Sequence, residues 1–186
     1  LGTEPGCRHP LTYIMEAADD ISYCLADIED AVEKGLLSLS QLADELNKAF
    51  TALEPQQRLI ATHNGASASF SVLIKAALDK AQEEPINKTS AFFIKLRVDM
   101  IHPLVRHAAQ QFIDNIAAVY SGRLNRALLE DNSQYHAITS AFKQVVRQFV
   151  FNQSEVETLE LQGFRIIAGL FDSYRPLLYL SQADFT

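Results

Sequence analysis

Acidic side chains recur in the first amphipathic segment of the chain at a spacing that would place them on one side of a helix. At 3.6 residues per turn, these positions and one tyrosine fall within about 80° of one another: Glu16, Asp19, Tyr23, Asp27 and Asp30. An acidic stripe opposite an apolar one is typical of a solvated helix face, and periodicity alone favours that interpretation. A tyrosine beside carboxylates is better suited to a pocket, where its hydroxyl can contact a phosphate or a sugar.

The element that carries the stripe is predicted to be a helix from Pro10 to Lys34. Proline is tolerated in a first turn, and Gly35 is placed to end the helix. Apolar residues at three- and four-residue steps form its predicted buried face: Leu11, Ile14, Met15, Ala18, Ile21, Leu25, Ile28 and Val32. Strand signals are nearly absent from the chain. We therefore expect an all-α, multi-helix fold, with residues 1–186 forming a single helical domain.

Capping residues and helix breakers divide the rest of the chain. Ser38 or Ser40 can cap a second helix, and further helices are predicted over 67–82, 90–120, 135–151 and 154–174. Pro103 should kink or interrupt the long 90–120 segment, because it removes a backbone donor. Residues 123–133 are predicted to form a turn with a short extended piece. Ser154 and Glu157 have the spacing of a capping box.

Composition narrows the class of protein. The 186 residues are 48% hydrophobic, no apolar run approaches the ~20 residues of a membrane span, and the N-terminus lacks a signal peptide pattern. Two cysteines are too few for a disulfide framework, so we expect a cytoplasmic protein. A net charge of -7 argues against a chain-wide nucleic-acid surface, although a local basic patch stays open. Because Leu1 is not an initiator methionine, we interpret the chain as part of a longer protein.

Two segments carry particular motifs. The first reads R-x-P-L-x-Y from Arg8, then E-A-A-D-D-I-x-Y from Glu16, then D-x-E-D-A from Asp27; the second reads E-L-Q-G-F-R from Glu160, then Y-R-P-L-L from Tyr174. Together they resemble the C-terminal half of the bacterial dGTP triphosphohydrolases, which belong to the HD phosphohydrolase superfamily. Between about 36 and 135 the chain matches that family only in its helical character.

The resemblance implies metal-dependent hydrolysis of dGTP to deoxyguanosine and inorganic triphosphate. HD enzymes hold a divalent metal, here magnesium or manganese, with one histidine, an adjacent His-Asp pair and a final aspartate, which matches Asp19. A carboxylate is a suitable hard ligand for a metal that activates water. Tyr23 and Asp27 match positions expected to line the substrate pocket. Arg165 matches a C-terminal arginine expected near the nucleotide, and Arg175 is a second such candidate; a salt bridge within the last helix is the alternative for both.

The remaining ligands of that metal site do not occur in this chain. No histidine is followed by aspartate, and His102 and His107, five residues apart, suit surface or helix-packing roles. We therefore expect at most one of the four protein ligands in this chain, no catalytic acid or base, and an inactive isolated chain whose complete parent is the enzyme. Cys24 is expected to be a small core residue. Asp20 is expected to support the site or to be solvated.

Two other functions stay open on the sequence. One is a non-catalytic helical module that binds nucleotide or single-stranded nucleic acid, and the other is a triphosphohydrolase with a different deoxynucleotide preference. Lys143 and Arg147, four residues apart on one helix, are either a phosphate or nucleic-acid patch or a solvated face. The resemblance also implies a homo-oligomer.

Overall fold

The computed structural model describes residues 8–151 and 154–180, and this part of the chain is almost entirely helical. Its helices are α1 (Pro10–Glu33), α2 (Leu39–Leu53), α3 (Phe70–Glu83), α4 (Lys88–Asp114), α5 (Ile116–Tyr120), α6 (Gln134–Val146) and α7 (Ser154–Tyr174). A π-helical turn (Arg147–Phe151) follows α6, and a 3-10 turn (Arg175–Tyr179) follows α7. The short strands β1 (Ile60–Ala61) and β2 (Ser67–Ala68) pair antiparallel. The predicted all-α class is confirmed.

Local signals define both ends of α1. The backbone N–H of Leu11 donates to Nδ1 of His9 at 3.2 Å, which satisfies one of the free donors of the first turn. At the other end Gly35 adopts a φ of +74°, a backbone conformation that residues other than glycine rarely adopt. This turn lets the N–H of Leu36 donate back to the carbonyl of Ala31 at 2.9 Å. The predicted extent of α1 is therefore confirmed.

The core lies where α1 packs against α4 and α6, and where α2 packs against α3 and α6. Aromatic rings fill its centre. Phe50 and Phe70 stack with ring centroids 4.3 Å apart, and Phe142 meets Phe70 edge-on at 6.4 Å. α6 contacts both α1 and α2. Phe142 is buried in this core, and the next residue of α6, Lys143, lies beside Asp20 of α1.

The predicted buried face of α1 is right only in its C-terminal half, where Ile21, Leu25 and Ile28 are buried. In the N-terminal half four residues assigned to that face are exposed: Leu11, Ile14, Met15 and Ala18. Tyr13 is buried there instead, and its hydroxyl donates to the carbonyl of Leu124 at 2.6 Å. Periodicity could not distinguish the two sides, because the start of α1 is apolar on both.

Two further predictions are corrected. Ser67 lies in β2, and Ser69 caps α3 through the N–H of Val72, so α3 begins at Phe70. Pro103 lies buried within α4 without ending it. The break falls at Asn115, whose side-chain amide donates to the carbonyl of Gln111 at 2.8 Å and so competes with the helical pattern. Residues 123–133 have turns, bends and irregular backbone, which agrees with the predicted turn. The capping box predicted at Ser154 involves a side chain outside the described residues.

The last helix makes its main contacts with the two turns that flank it. Its large apolar side chains are exposed, among them Leu159, Phe164, Ile167, Leu170 and Phe171. The single-domain organisation of residues 1–186 stays a prediction. Within 8–151 and 154–180, no helix has the length and apolar character needed to cross a membrane.

A polar cluster fastens the segment before α6 to α4. Nε2 of His107 lies 2.7 Å from Oδ2 of Asp131 and 3.1 Å from Oγ of Ser133. The Ser133 hydroxyl and backbone N–H both donate to Asp131, and the ring of Tyr135 stacks on His107 with centroids 4.4 Å apart. Burial alone would raise the pKa of Asp131, but the hydrogen bonds from Ser133 and His107 outweigh it and lower that pKa.

The lowered pKa of Asp131 predicts a pH-dependent contribution to stability. A carboxyl whose pKa is lower in the folded than in the unfolded chain stabilises the fold above its unfolded value, and the contribution is lost as the pH falls through the folded pKa. We expect Asp131→Asn to destabilise the chain most near neutral pH, with the difference shrinking below about pH 4. Urea denaturation at a series of pH values measures this. Asp79→Asn, at an exposed carboxylate of α3, is the control, and a pH-independent difference for Asp131→Asn would contradict the assignment.

Candidate functional site

A cavity of 260 Å³ opens between α1 and the end of α6. Its α1 wall consists of Asp19, Asp20, Tyr23, Cys24 and Asp27, and its opposite wall consists of Lys143, Val146, Arg147 and Phe151. The structure thus brings together three of the residues singled out by the sequence: Asp19, Tyr23 and Asp27. The stripe on α1 is a cavity wall at these positions rather than a fully solvated face.

An ion pair joins the two walls. Nζ of Lys143 lies 2.7 Å from Oδ1 of Asp20, and the aspartate is the more buried partner. The charge of Asp20 is therefore neutralised by a cation of the opposite wall. The expected role of Asp20 in supporting Asp19 stays a prediction.

Cation pairing separates the carboxylates of α1 into two groups. Four carboxylates are paired: Glu16 with Arg8, Asp20 with Lys143, Glu29 with Arg97, and Asp30 with Lys34. Within the described part of the chain, Asp19, Asp27 and Glu33 have no such partner, and of these Asp19 and Asp27 line the cavity. Unneutralised carboxylates on a cavity wall are available for a metal ion or for polar groups of a ligand.

The buried end of the cavity alters two titrating groups. Burial and the neighbouring Asp30 raise the pKa of Asp27, so this carboxyl holds a proton more readily than an ordinary aspartate. Burial, followed by the charge of Asp20, raises the pKa of the Cys24 thiol to about 12. Cys24 donates to the carbonyl of Ile21 at 3.2 Å and is buried, which confirms the expected core role and argues against a nucleophile.

Asp19 stands at the boundary between the cavity and an open surface. An adjoining depression on α1 is lined by Thr12, Met15, Glu16, Ala18, Asp19 and Ser22. The exposed carboxylate of Asp19 can offer one hard oxygen ligand to a divalent cation. Among the described residues, no group of three or more histidine, cysteine, aspartate or glutamate side chains could hold a metal by itself. Asp19 could therefore supply at most one ligand of a metal site.

The two C-terminal arginines lie away from this cavity. Arg165 is exposed on α7 and does not line the cavity. In the described segments it has no ion pair with Glu160 or Asp172, so neither interpretation of Arg165 is supported by a contact. Arg175 lies at a separate apolar pocket formed by the end of α7 and the turn that follows. A role of Arg165 in substrate binding stays a prediction.

The histidines lie outside the cavity. His107 takes part in the cluster with Asp131, and His136 contacts the carbonyl of Leu129 through Nδ1 at 2.9 Å. Nδ1 of His63 lies 3.6 Å from the buried Asp99. The contacts of His107 agree with the packing role expected for it.

The sequence pattern alone does not predict the cationic wall of the cavity. Lys143 and Arg147 are recognisable in the sequence as a pair four residues apart, with a solvated face as one interpretation. Only the packing of α6 on α1 shows that both face the acidic wall. An amphipathic pattern identifies which side of α6 is polar, but not which helix lies opposite that side.

The chain is similar to known proteins along its whole length. The chain is 59% identical over 185 residues, its whole length, to a protein of Pseudomonas aeruginosa described as a probable deoxyguanosinetriphosphate triphosphohydrolase. It is 46% identical over 188 residues to the deoxyguanosinetriphosphate triphosphohydrolase of Yersinia pestis, and 47% identical over 179 residues, 96% of the chain, to that of Serratia proteamaculans. No family model matches the chain.

Identity at this level also covers the middle of the chain, where the motifs alone gave no match. The chain belongs to the deoxyguanosinetriphosphate triphosphohydrolase family. It spans 37%, 35% and 34% of the length of these three relatives.

Proposed function

We propose that the complete protein hydrolyses dGTP to deoxyguanosine and inorganic triphosphate with the help of a divalent metal. One observation carries the proposal. Asp19 and Tyr23 of the D-D-I-x-Y motif and Asp27 of the D-x-E-D-A motif line a single cavity. The chain that holds them is 59% identical to a probable triphosphohydrolase.

Asp19 would hold the metal, magnesium or manganese, together with the histidine and the His-Asp pair expected from the rest of the polypeptide. When bound, such a metal polarises a phosphoryl oxygen and lowers the pKa of a water that can attack the α-phosphorus. The open surface beside Asp19 leaves room for those further ligands.

The other residues of the cavity would bind and orient the nucleotide. The hydroxyl of Tyr23 can form a hydrogen bond with the sugar or a phosphate. Asp27, whose pKa is raised by burial, can accept from a sugar hydroxyl, or donate when it is protonated. Lys143 neutralises Asp20 and so reduces the repulsion between the acidic wall and an incoming triphosphate.

Triphosphate release from dGTP by the complete protein tests this function. We expect release in the presence of manganese or magnesium, dGTP as the best substrate of a deoxynucleotide panel, and no release by the 186-residue chain alone. A different best substrate would favour the alternative triphosphohydrolase. A complete protein that binds nucleotide or single-stranded nucleic acid, but hydrolyses none of the panel, would favour the non-catalytic module. The homo-oligomer and the cytoplasmic location remain predictions.

A further inference from the structure

Two cations line the wall of the cavity that faces α1, and they differ in what they contact. Lys143 is engaged with Asp20 at 2.7 Å. Arg147, one helical turn later, is exposed and lines the same cavity. In the described part of the chain its guanidinium has neither an ion pair nor a side-chain hydrogen bond. Its donors are therefore available to a ligand.

Asp27 lines the same cavity but does not use this charge. A guanidinium in contact with a carboxylate lowers the pKa of that carboxyl. The pKa of Asp27 is instead raised by burial and by Asp30. Geometry and electrostatics agree that Arg147 is not held by a carboxylate of α1.

Arg147 lies on an element that packs against α1. It is the first residue of the π-helical turn, directly after the buried Val146 at the end of α6. The turn contacts α1. The guanidinium of Arg147 lines the cavity, and its planar fork matches two oxygens of a phosphate.

The charge distribution of the cavity indicates the kind of ligand. A triphosphate that entered would meet the unpaired carboxylates of Asp19 and Asp27 on one wall. A cation on the opposite wall offsets that repulsion, and the pairing of Lys143 with Asp20 leaves Arg147 for this purpose. We propose that Arg147 binds phosphate oxygens of the triphosphate group, in the nucleotide before hydrolysis and in inorganic triphosphate afterwards. The identity of the nucleotide rests on the proposed function.

Arg147→Ala in the complete protein tests the assignment with two readouts. Isothermal titration calorimetry with inorganic tripolyphosphate should show binding about 10- to 100-fold weaker, as expected for loss of a charge-assisted hydrogen bond. KM for dGTP should rise, while inhibition by deoxyguanosine, which lacks phosphate, should stay unchanged. Arg147→Lys, which keeps the charge and loses the fork, should restore part of the affinity.

Arg106→Ala is the matched control, because Arg106 is an exposed arginine of α4 that does not line the cavity. It should bind tripolyphosphate as the unchanged protein does. Unchanged tripolyphosphate binding by Arg147→Ala, with unchanged thermal denaturation, would overturn the assignment. Weaker deoxyguanosine binding alone would overturn it as well, by moving Arg147 to the nucleoside end. If the complete protein hydrolyses no deoxynucleotide but binds tripolyphosphate in an Arg147-dependent way, only the proposed function fails.

Discussion

Asp19→Ala in the complete protein should abolish triphosphate release from dGTP and leave the fold intact. The side chain is exposed at the rim of the cavity and has no ion pair in the described residues, so little packing is lost. Loss of a residue that only orients a metal ligand lowers activity by up to about 100-fold. Loss of the ligand itself should therefore lower activity by more than that. Product assays with manganese and with magnesium measure the loss, and equilibrium binding of Mn²⁺ should weaken in parallel.

Asp44→Ala is the control for this variant. Asp44 is likewise an exposed aspartate on a helix, but it lies on α2 and does not line the cavity. It should retain full activity and metal affinity. An Asp19→Ala protein as active as the unchanged one would remove Asp19 from the metal site and favour the non-catalytic binding module.

Phe142→Ala should destabilise the chain more than any substitution that removes a single polar contact at the protein surface. The ring is fully buried and packs edge-on against Phe70 at 6.4 Å. Truncation of a buried phenylalanine leaves a cavity and costs about 3–5 kcal/mol. The free energy of unfolding of the 186-residue chain, measured by urea denaturation, should fall by that amount.

Phe164→Ala separates burial from residue type. Phe164 lies on α7 with 72% of its surface exposed. Its truncation should change the free energy of unfolding by no more than about 0.5 kcal/mol. Equal losses for the two variants would contradict the central position of α6 in the core.

Local chemistry made most helices predictable. Ser38 forms a complete capping box with Gln41, and Gly35 and Gly122 adopt positive φ where helices were predicted to end. Pro103 shows the limit of such rules. A proline removes one hydrogen bond, but its buried position within α4 supplies packing that the sequence rule does not count.

The resemblance selected three residues that the structure places along one cavity. Asp19, Tyr23 and Asp27 came from the resemblance, because periodicity alone favoured a solvated face. The cationic wall was not predictable, since it depends on which helix packs opposite α1. The exposed start of α1 was missed for a related reason: Tyr13 is buried through its contact with Leu124, more than a hundred residues away.

Neighbouring residues of α6 face two different environments. Phe142 points into the core, and Lys143 reaches across the cavity to Asp20. A screen of random variants for lost activity would therefore collect substitutions at both positions and report them as one class. Thermal denaturation beside each assay would divide them, because a variant such as Lys143→Met should melt near the unchanged protein while Phe142→Ala should not. The residual activity of a variant substituted in this helix therefore reports on the chemistry of the site only after its folded fraction is known.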